Sequence, residues 1–266
     1  MIDAKPSFQT VPVRTPIDLI LRDLDSFLAV GEFEDYGPNG LQVPGAQEVR
    51  RVVTAVSSQR VLFERAAELE AELVLVHHGL FWNGQPPGLD PVLAERLRVL
   101  LRHDINLAAY HLPLDAHPEV GNNALLARAL GCAGDEPFGA VKGRAIGRLG
   151  RFAGDGLELG ELVARVTRAC GREPLVLSGG ERRVRVLAIV SGGGAKTLPE
   201  AAAAGADALL TGEPTEPAMA EARERGVHLI AAGHYATETF GVRALGERLT
   251  QRFGLDHVFV DLPNPV

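Results

Sequence analysis

Short apolar runs alternate with one-sided amphipathic segments along most of the chain. Residues 52–56, 73–76, 184–190 and 208–211 are mostly apolar and rich in branched side chains, which is typical of strands buried in an α/β sheet. Residues 17–28 instead repeat apolar positions at the spacing of one helix face. Because strand-like and helix-like segments keep alternating, the pattern predicts an α/β fold.

The first helix has a recognisable start. Proline suits the first helical position and threonine suits the N-cap, so we predict a helix from Pro16 to about Val30 that is capped by Thr15. The polar, proline-containing residues 1–15 are expected to form an extended tail.

Three of the predicted strands end in histidine. The segments are LVLVHHGLFW (residues 73–82), NLAAYHLPLD (106–115) and HLIAAGHYATE (228–238). They supply four histidines and two carboxylates, namely His77, His78, His111, Asp115, His234 and Glu238. Ligands collect at the carboxyl ends of strands in open α/β sheets, so we expect these six side chains to meet.

Imidazole and carboxylate groups are the usual protein ligands of zinc, iron(II) and manganese. Four histidines and two acids are enough for two such ions. A single histidine at a strand end is more often a hydrogen-bonded structural residue. Three such endings in one chain favour a metal site over that alternative.

The local sequence gives further geometric expectations. Adjacent strand residues face opposite ways, so His77 and His78 can share a pocket only if the strand breaks, which Gly79 permits. We expect Pro113 to keep His111 and Asp115 out of a helix, so that both converge from a loop. Glu238 is predicted to lie in the first turn of its helix, with Thr237 as a candidate cap.

A triple glycine, Gly192 to Gly194, precedes Lys196 and Thr197. The spacing does not match a phosphate-binding P-loop. Either the turn offers backbone N–H groups to an anion or it is an ordinary tight turn, which we favour. Glu213 follows a strand and could approach a site, but a solvated helix start is the interpretation that we favour.

Residues 131–143 bring glycine, acidic and turn-forming residues together. We place a boundary between two lobes here. Residues 1–130 together with 232–266 are predicted to form the metal-binding α/β lobe, because the third histidine segment returns to the same site. Residues 131–231 are predicted to form the second α/β lobe.

Composition excludes several classes of protein. The net charge is −7 over 266 residues, and the chain contains no dense Lys/Arg cluster, which argues against nucleic-acid binding. Two cysteines cannot build a disulfide framework, which favours a reduced, cytoplasmic protein. We find neither a signal peptide at the start nor an apolar run of the ~18 residues that a membrane span needs.

Six ordered segments match a known pattern. They are NGLQV (39–43), VHHGLFW (76–82), YHLPLDAHPEVGNNALLA (110–127), SGGGA (191–195), TGE (211–213) and AGHYATETFGV (232–242). In these segments the chain resembles the YbgI-like dinuclear metal-centre proteins, which are often labelled GTP cyclohydrolase I type 2 homologues. The resemblance extends over about residues 16–262, which is nearly the whole chain.

The resemblance implies two α/β lobes with mixed sheets flanked by helices, in a short form without the inserted domain of longer relatives. It implies a homohexameric ring in which metal pairs face an internal cavity. It also implies that the six side chains identified at the strand ends hold two divalent metal ions.

For activity, the resemblance implies a metal-dependent hydrolase that acts on a nucleotide-like substrate, with GTP as the named candidate. The sequence identifies no dedicated catalytic base and no guanine-reading residue. The alternative is a metal-binding or metal-handling protein without turnover. A DNA-associated ring is disfavoured by the acidic net charge.

Overall fold

The computed structural model describes residues 14–86 and 88–266, with only the backbone described at Asp135. The prediction of an extended tail therefore falls almost wholly outside the described residues. Among the residues that are described, no helix combines the length and the apolar character that crossing a membrane requires.

Strands and helices alternate along the chain. The strands are β1 (Thr15–Pro16), β2 (Gly40–Val43), β3 (Glu48–Val49), β4 (Arg51–Ser57), β5 (Leu73–His78), β6 (Asn106–Ala109), β7 (Ala133–Val141), β8 (Arg144–Arg151), β9 (Leu157–Glu158), β10 (Leu175–Leu177), β11 (Arg183–Val184), β12 (Val186–Val190), β13 (Ala208–Thr211), β14 (His228–Ala231) and β15 (Asp256–Phe259). The helices are α1 (Ile17–Phe27), α2 (Arg60–Glu68), α3 (Pro91–Arg102), α4 (Leu112–Ala116), α5 (Asn122–Leu130), α6 (Leu159–Cys170), α7 (Leu198–Ala203), α8 (Ala218–Arg225), α9 (His234–Thr237) and α10 (Thr239–Phe253).

A five-stranded sheet has the order β15-β4-β5-β6-β2. Its first four strands are parallel, and β2 runs antiparallel to β6. Neighbouring residues of β4 point to opposite faces: Val52 packs in one core with α1 and α10, and Val53 packs in another with α2 and α3. The sheet is therefore buried between two helical layers, which explains its almost uninterrupted apolar strands.

A six-stranded sheet has the order β10-β14-β13-β12-β8-β7. Strands β12, β13 and β14 pair in parallel. The pairs β10–β14, β8–β12 and β7–β8 are antiparallel. Helices α7 and α8 contribute to the core on one face, whereas α5 and α6 contribute to the core on the other. The predicted α/β class with mixed, helix-flanked sheets is confirmed.

All six strands of this sheet come from residues 133–231. The division of the chain into two domains at the predicted residues stays a prediction. Residues 133–141, which we expected to be turns, form β7 and pair with β8. The sequence signal was misleading because an edge strand tolerates glycine and proline better than a central one.

The predicted N-cap is wrong. Helix α1 begins at Ile17, Pro16 holds the capping position, and the cap makes no side-chain hydrogen bond. Thr15 instead pairs with Val49 in a two-residue ladder. A pairing partner 34 residues away cannot be read from the local sequence.

Candidate metal centre

The centre is built where strands from both sheets end. His77 and His78 are the last residues of β5. Strand β6 ends at Ala109, and Tyr110 and then His111 follow it. His234 begins α9 shortly after β14. The three segments that the sequence predicted to converge do so. Strands β5 and β6 are parallel neighbours, so their carboxyl ends lie at one edge of the five-stranded sheet, and His234 reaches the same place from the end of β14 in the six-stranded sheet.

All four imidazoles are held through Nδ1. His77 Nδ1 lies 2.9 Å from the carbonyl oxygen of Tyr110, and His78 Nδ1 lies 3.1 Å from Ser57 Oγ. The remaining pairs are His111 Nδ1 with Asp35 Oδ1 at 2.7 Å and His234 Nδ1 with Glu213 Oε1 at 3.2 Å. A carbonyl or carboxylate oxygen can only accept, so Nδ1 carries the hydrogen in those pairs, and Nε2 keeps a lone pair for a ligand.

The Nε2 atoms of His77, His78 and His234 face the two carboxylates. Glu238 Oε1 lies 3.6 Å from His77 Nε2 and 3.3 Å from His234 Nε2, and its Oε2 lies 3.2 Å from His78 Nε2. Asp115 Oδ2 lies 3.4 Å from His77 Nε2. His77, His78 and His111 form one group of candidate ligand atoms, and His78, His234 and Glu238 form a second. The structure thus brings all six predicted side chains together, with His78 common to both groups.

Asp115 is fixed by neighbours on α5 and after β12. Its Oδ1 accepts hydrogen bonds from Asn122 Nδ2 at 2.8 Å and from Ser191 Oγ at 3.2 Å, which leaves Oδ2 towards His77. The expectation that Pro113 excludes a helix is wrong, because Asp115 lies in α4 and His111 is its N-cap residue. Proline is tolerated in a first helical turn, where no intrahelical N–H bond is lost.

Glu238 lies at the junction of α9 and α10, where it occupies the N-cap position of α10. The prediction that Glu238 lies in the first turn of its helix, with Thr237 as the cap, is therefore wrong. Thr237 Oγ1 instead donates to the Gly233 carbonyl at 2.9 Å and accepts from Gly192 N at 3.1 Å. This contact ties the triple-glycine turn to the Glu238 segment.

His77 and His78 need no distortion within the strand. Strand β5 continues through His78, which pairs with Ser57 of β4, and the two rings lie 4.7 Å apart between centroids. Both Nε2 atoms reach Glu238 because the carboxylate lies beyond the end of the strand. Gly79 provides room for Gln42, since a Cβ at residue 79 would collide with that side chain.

Gly192 lies directly against two of the candidate ligands, Glu238 and His234. Its φ is +59°, and a Cβ there would overlap Glu238 Oε1 and lie 3.0 Å from His234 Nε2. Its carbonyl oxygen accepts from Gly212 N at 2.9 Å. Glycine is required here both by the backbone conformation and by the close approach of the carboxylate.

The donor set fits a metal. His77 Nε2 and Glu238 Oε2 are buried and find no hydrogen-bond partner among the described residues. Leaving such groups unsatisfied costs about 1–3 kcal/mol each, and more for charged groups. A divalent cation would satisfy both atoms, since neutral imidazole and carboxylate are the ligands that zinc, iron(II) and manganese share.

The electrostatics also favour positive charge at this position. Burial opposes protonation of His77, but the carboxylates of Asp115 and Glu238 outweigh it and hold the pKa of His77 well above its ordinary value. Burial acts against ionised Glu238, but the adjacent imidazoles hold its pKa well below the ordinary value. A hydrogen bond with Glu238 raises the pKa of His234 to about 9, whereas burial lowers the pKa of His78 to about 4.

Sequence reasoning missed most of the supporting residues and gave the approach of Glu213 to a site only as the less favoured interpretation. Asp35 lies in a turn-rich segment without histidine nearby, and nothing local links it to His111. Glu213 is not a solvated helix start but a partner of His234. The polar residues NN at 122–123 were a usable signal, because two adjacent asparagines buried at a helix start require partners.

A cavity of about 700 Å³ opens onto the centre, a volume typical of small-molecule sites. Its lining combines the candidate ligands His78, His111, Asp115, His234 and Glu238 with aromatic, aliphatic and glycine residues and with Lys196. The centre can therefore be reached by a ligand of substantial size.

Comparison with known proteins agrees with this picture. The family model Duf34/NIF3 (NGG1p interacting factor 3) matches residues 16–265. A Pseudomonas aeruginosa protein named GTP cyclohydrolase 1 type 2 homolog is 45% identical over 249 residues, covering 94% of this chain and 98% of the relative. A Deinococcus radiodurans protein of the same name is 42% identical over 258 residues, covering 97% of each.

Solved structures give the same result. The protein ybgI, described as of unknown function, is 40% identical with a TM-score of 0.88, covering 95% of this chain and 100% of its own. A crystal structure from Thermus thermophilus is 42% identical with a TM-score of 0.87, covering 95% and 100%. The chain therefore belongs to the Duf34/NIF3 (NGG1p interacting factor 3) family.

Proposed function

We propose that His77, His78, His111, Asp115, His234 and Glu238 hold two divalent metal ions and that the protein is a metal-dependent hydrolase of a nucleotide-like substrate. The single observation that carries the metal centre is the common orientation of the four imidazoles. Each is held at Nδ1; the Nε2 atoms of His77, His78 and His234 face two buried carboxylates, and His111 lies in one group of candidate ligand atoms with His77 and His78.

Glu238 would hold metal at the centre of this set, because its two oxygens lie near three different Nε2 atoms. Bound divalent ions would lower the pKa of water and polarise the bond to be hydrolysed. The protein contributes fixed ligands and a cavity that admits the substrate.

The substrate class is supported by the relatives and by the cavity. Curated relatives with more than 40% identity are named GTP cyclohydrolase 1 type 2 homolog, which makes GTP the named candidate. A volume of about 700 Å³ accommodates a nucleotide. The homohexameric ring implied by the resemblance and a cytoplasmic location belong to the same proposal, and light scattering on the purified protein tests the ring.

The test uses the full chain loaded with zinc, manganese or iron(II) and a panel of nucleotides that includes GTP. We expect about two ions per chain and metal-dependent product formation. Glu238→Gln should abolish turnover, whereas Glu224→Gln, at an exposed position of α8, should retain it. Full metal binding without product from any nucleotide would indicate a metal-binding or metal-handling protein, and absence of bound metal would overturn the proposal.

A further inference from the structure

Two aromatic side chains, Tyr36 and Trp82, line the cavity next to the metal centre; we call them the aromatic wall. The Trp82 ring stands edge-to-face to His111, with centroids 5.2 Å apart and an interplanar angle of 88°. It also lies 5.9 Å from the His78 ring. A flat ring stacked on Trp82 would therefore lie beside two of the proposed metal ligands.

Tyr36 is exposed yet held in place. The residue is 48% exposed, and the Lys142 ammonium lies 4.7 Å from the centroid of its ring. That ammonium also bonds Glu34 Oε1 at 2.9 Å and the Asp35 carbonyl at 3.0 Å. An aromatic surface fixed in this way loses little conformational freedom when a ligand binds.

Lys196 contributes positive charge to the same cavity. Among the described residues of the lining, it is the only lysine or arginine. Within the described part of the chain, no carboxylate forms an ion pair with its ammonium, although Glu200 lines the cavity as well. Lys142, by contrast, is engaged with Glu34. An exposed lysine is usually just solvated, but this one lies inside a concave site.

The chain path keeps Lys196 close to the metal ligands. Gly192 packs against Glu238 and His234, and the Gly194–Thr197 segment is a 3₁₀ turn. The Cα atoms of residues 192 and 196 are therefore no more than about 13 Å apart. A ligand of nucleotide size can contact the metal ligands and the Lys196 ammonium together.

We infer that the cavity binds a ligand composed of an aromatic heterocycle and a phosphate, with the ring on the aromatic wall and the phosphate on Lys196. The inference rests on the proposed function, since metal ions would neutralise the carboxylates that otherwise repel an anion. Lysine binds phosphate as a point charge, and rings stack on tryptophan and tyrosine whatever their substitution pattern. Lys196 is thus a specificity-determining residue for the phosphorylated form of the ligand.

The experiment uses the metal-loaded full chain and follows the fluorescence of Trp82, which is the single tryptophan. GMP, guanosine and inorganic phosphate are titrated separately. Lys196→Met should weaken GMP binding by about 10- to 100-fold, the range for loss of a charged hydrogen bond. Guanosine binding should stay unchanged, and Lys196→Arg should retain most of the affinity for GMP.

The control is Arg182→Gln, which removes the same charge from a side chain that is 93% exposed and outside the cavity lining. Metal content is measured for every variant. Equal GMP affinity in Lys196→Met and the unchanged protein, or no GMP binding to the metal-loaded protein, would overturn the inference alone. A chain that retains no metal would overturn the proposed function instead.

Discussion

Asp35 and His111 are 76 residues apart in the chain, and Asp35 Oδ1 accepts a hydrogen bond from His111 Nδ1 at 2.7 Å. The same carboxylate accepts from Leu112 N at 2.9 Å and from Asn39 Nδ2 at 2.9 Å. Burial would raise the pKa of Asp35, but the contacts with His111 outweigh it and lower this pKa. The ionised carboxylate thus fixes both the imidazole and the start of α4.

Replacing Asp35 by asparagine should weaken metal binding. Asparagine lacks the negative charge of Asp35. That charge makes the His111 imidazole a better metal ligand and holds it in one tautomer. We expect metal affinity to fall by about 10- to 100-fold, the usual effect of losing such a partner. Competition with a chromophoric chelator measures this change.

Asp256→Asn serves as the control for Asp35→Asn. Asp256 is an exposed partner of Arg51 and contacts none of the six proposed ligands. If both variants bound metal as tightly as the unchanged protein, the Asp35–His111 contact would have no part in ligand positioning.

Gly192→Ala should damage the centre more than its backbone strain alone explains. The new Cβ would overlap the Glu238 carboxylate and displace it from His234. Gly205→Ala is a matched control, because Gly205 has a φ of +74° but a Cβ there meets no described atom within 4 Å. The strain of alanine at positive φ, of order 1–3 kcal/mol, is then common to both variants.

The expected result is loss of metal binding in Gly192→Ala and retention in Gly205→Ala, with both variants destabilised in urea. Calorimetric titration with manganese or zinc separates the two effects. Equal metal affinity in the two variants would show that the carboxylate can move away without functional cost.

Much of the fold could be predicted because its signals are local. The predicted strand at 208–211 has the observed bounds, since the apolar run ends there at a turn residue. The prediction of one strand at 184–190 merged β11 and β12. Arg185 separates them, and a single polar residue in an otherwise apolar run does not mark the end of a strand. Thr15 was misread because its partner Val49 is distant in sequence.

The site could be predicted in part for the same reason. His77, His78 and His111 follow neighbouring parallel strands, so their meeting follows from the geometry of one sheet. His234 comes from the six-stranded sheet, and its arrival depends on how the two sheets pack. Asp35 and Glu213 act from loops, and loop positions depend on tertiary packing. The α4 helix was missed because one proline was weighed as a helix breaker without regard to its place in the first turn.

Metal addition should raise the thermal stability of the protein. His77 Nε2 and Glu238 Oε2 are buried without hydrogen-bond partners in the described residues. A metal ion that binds only the folded state would therefore meet coordinating atoms that are already in place. At a free metal concentration of about 100 times Kd, binding adds about 2.7 kcal/mol. For a chain of this size that corresponds to roughly 5–10 °C in Tm.

Differential scanning calorimetry with and without a chelator measures this shift. Glu238→Gln should lose it, because the variant lacks the carboxylate that lies near three imidazoles. Glu224→Gln should keep it. A Tm that is independent of metal in the unchanged protein would contradict a centre built from these ligands.

His257 should make the protein sensitive to mild acid, independently of the metal centre. Its Nε2 lies 2.8 Å from Thr54 Oγ1. Burial lowers the pKa of His257, the nearby Arg243 acts in the same direction, and Glu247 opposes them. The folded-state pKa is therefore below the unfolded value of about 6.5.

The sign of the effect follows from proton uptake. Above about pH 6.5 the ring is neutral in both states and its contribution to stability is complete; below that value the unfolded chain binds the proton first, so the free energy of unfolding falls. His257→Gln can retain the hydrogen bond to Thr54 but cannot titrate, so urea denaturation at about pH 7.5 and about pH 5.5 should show a smaller loss for this variant. His103→Gln removes an exposed imidazole and should leave the loss unchanged. An identical loss in His257→Gln and the unchanged protein would mean that the ring accepts a proton in the folded state as readily as in the unfolded chain.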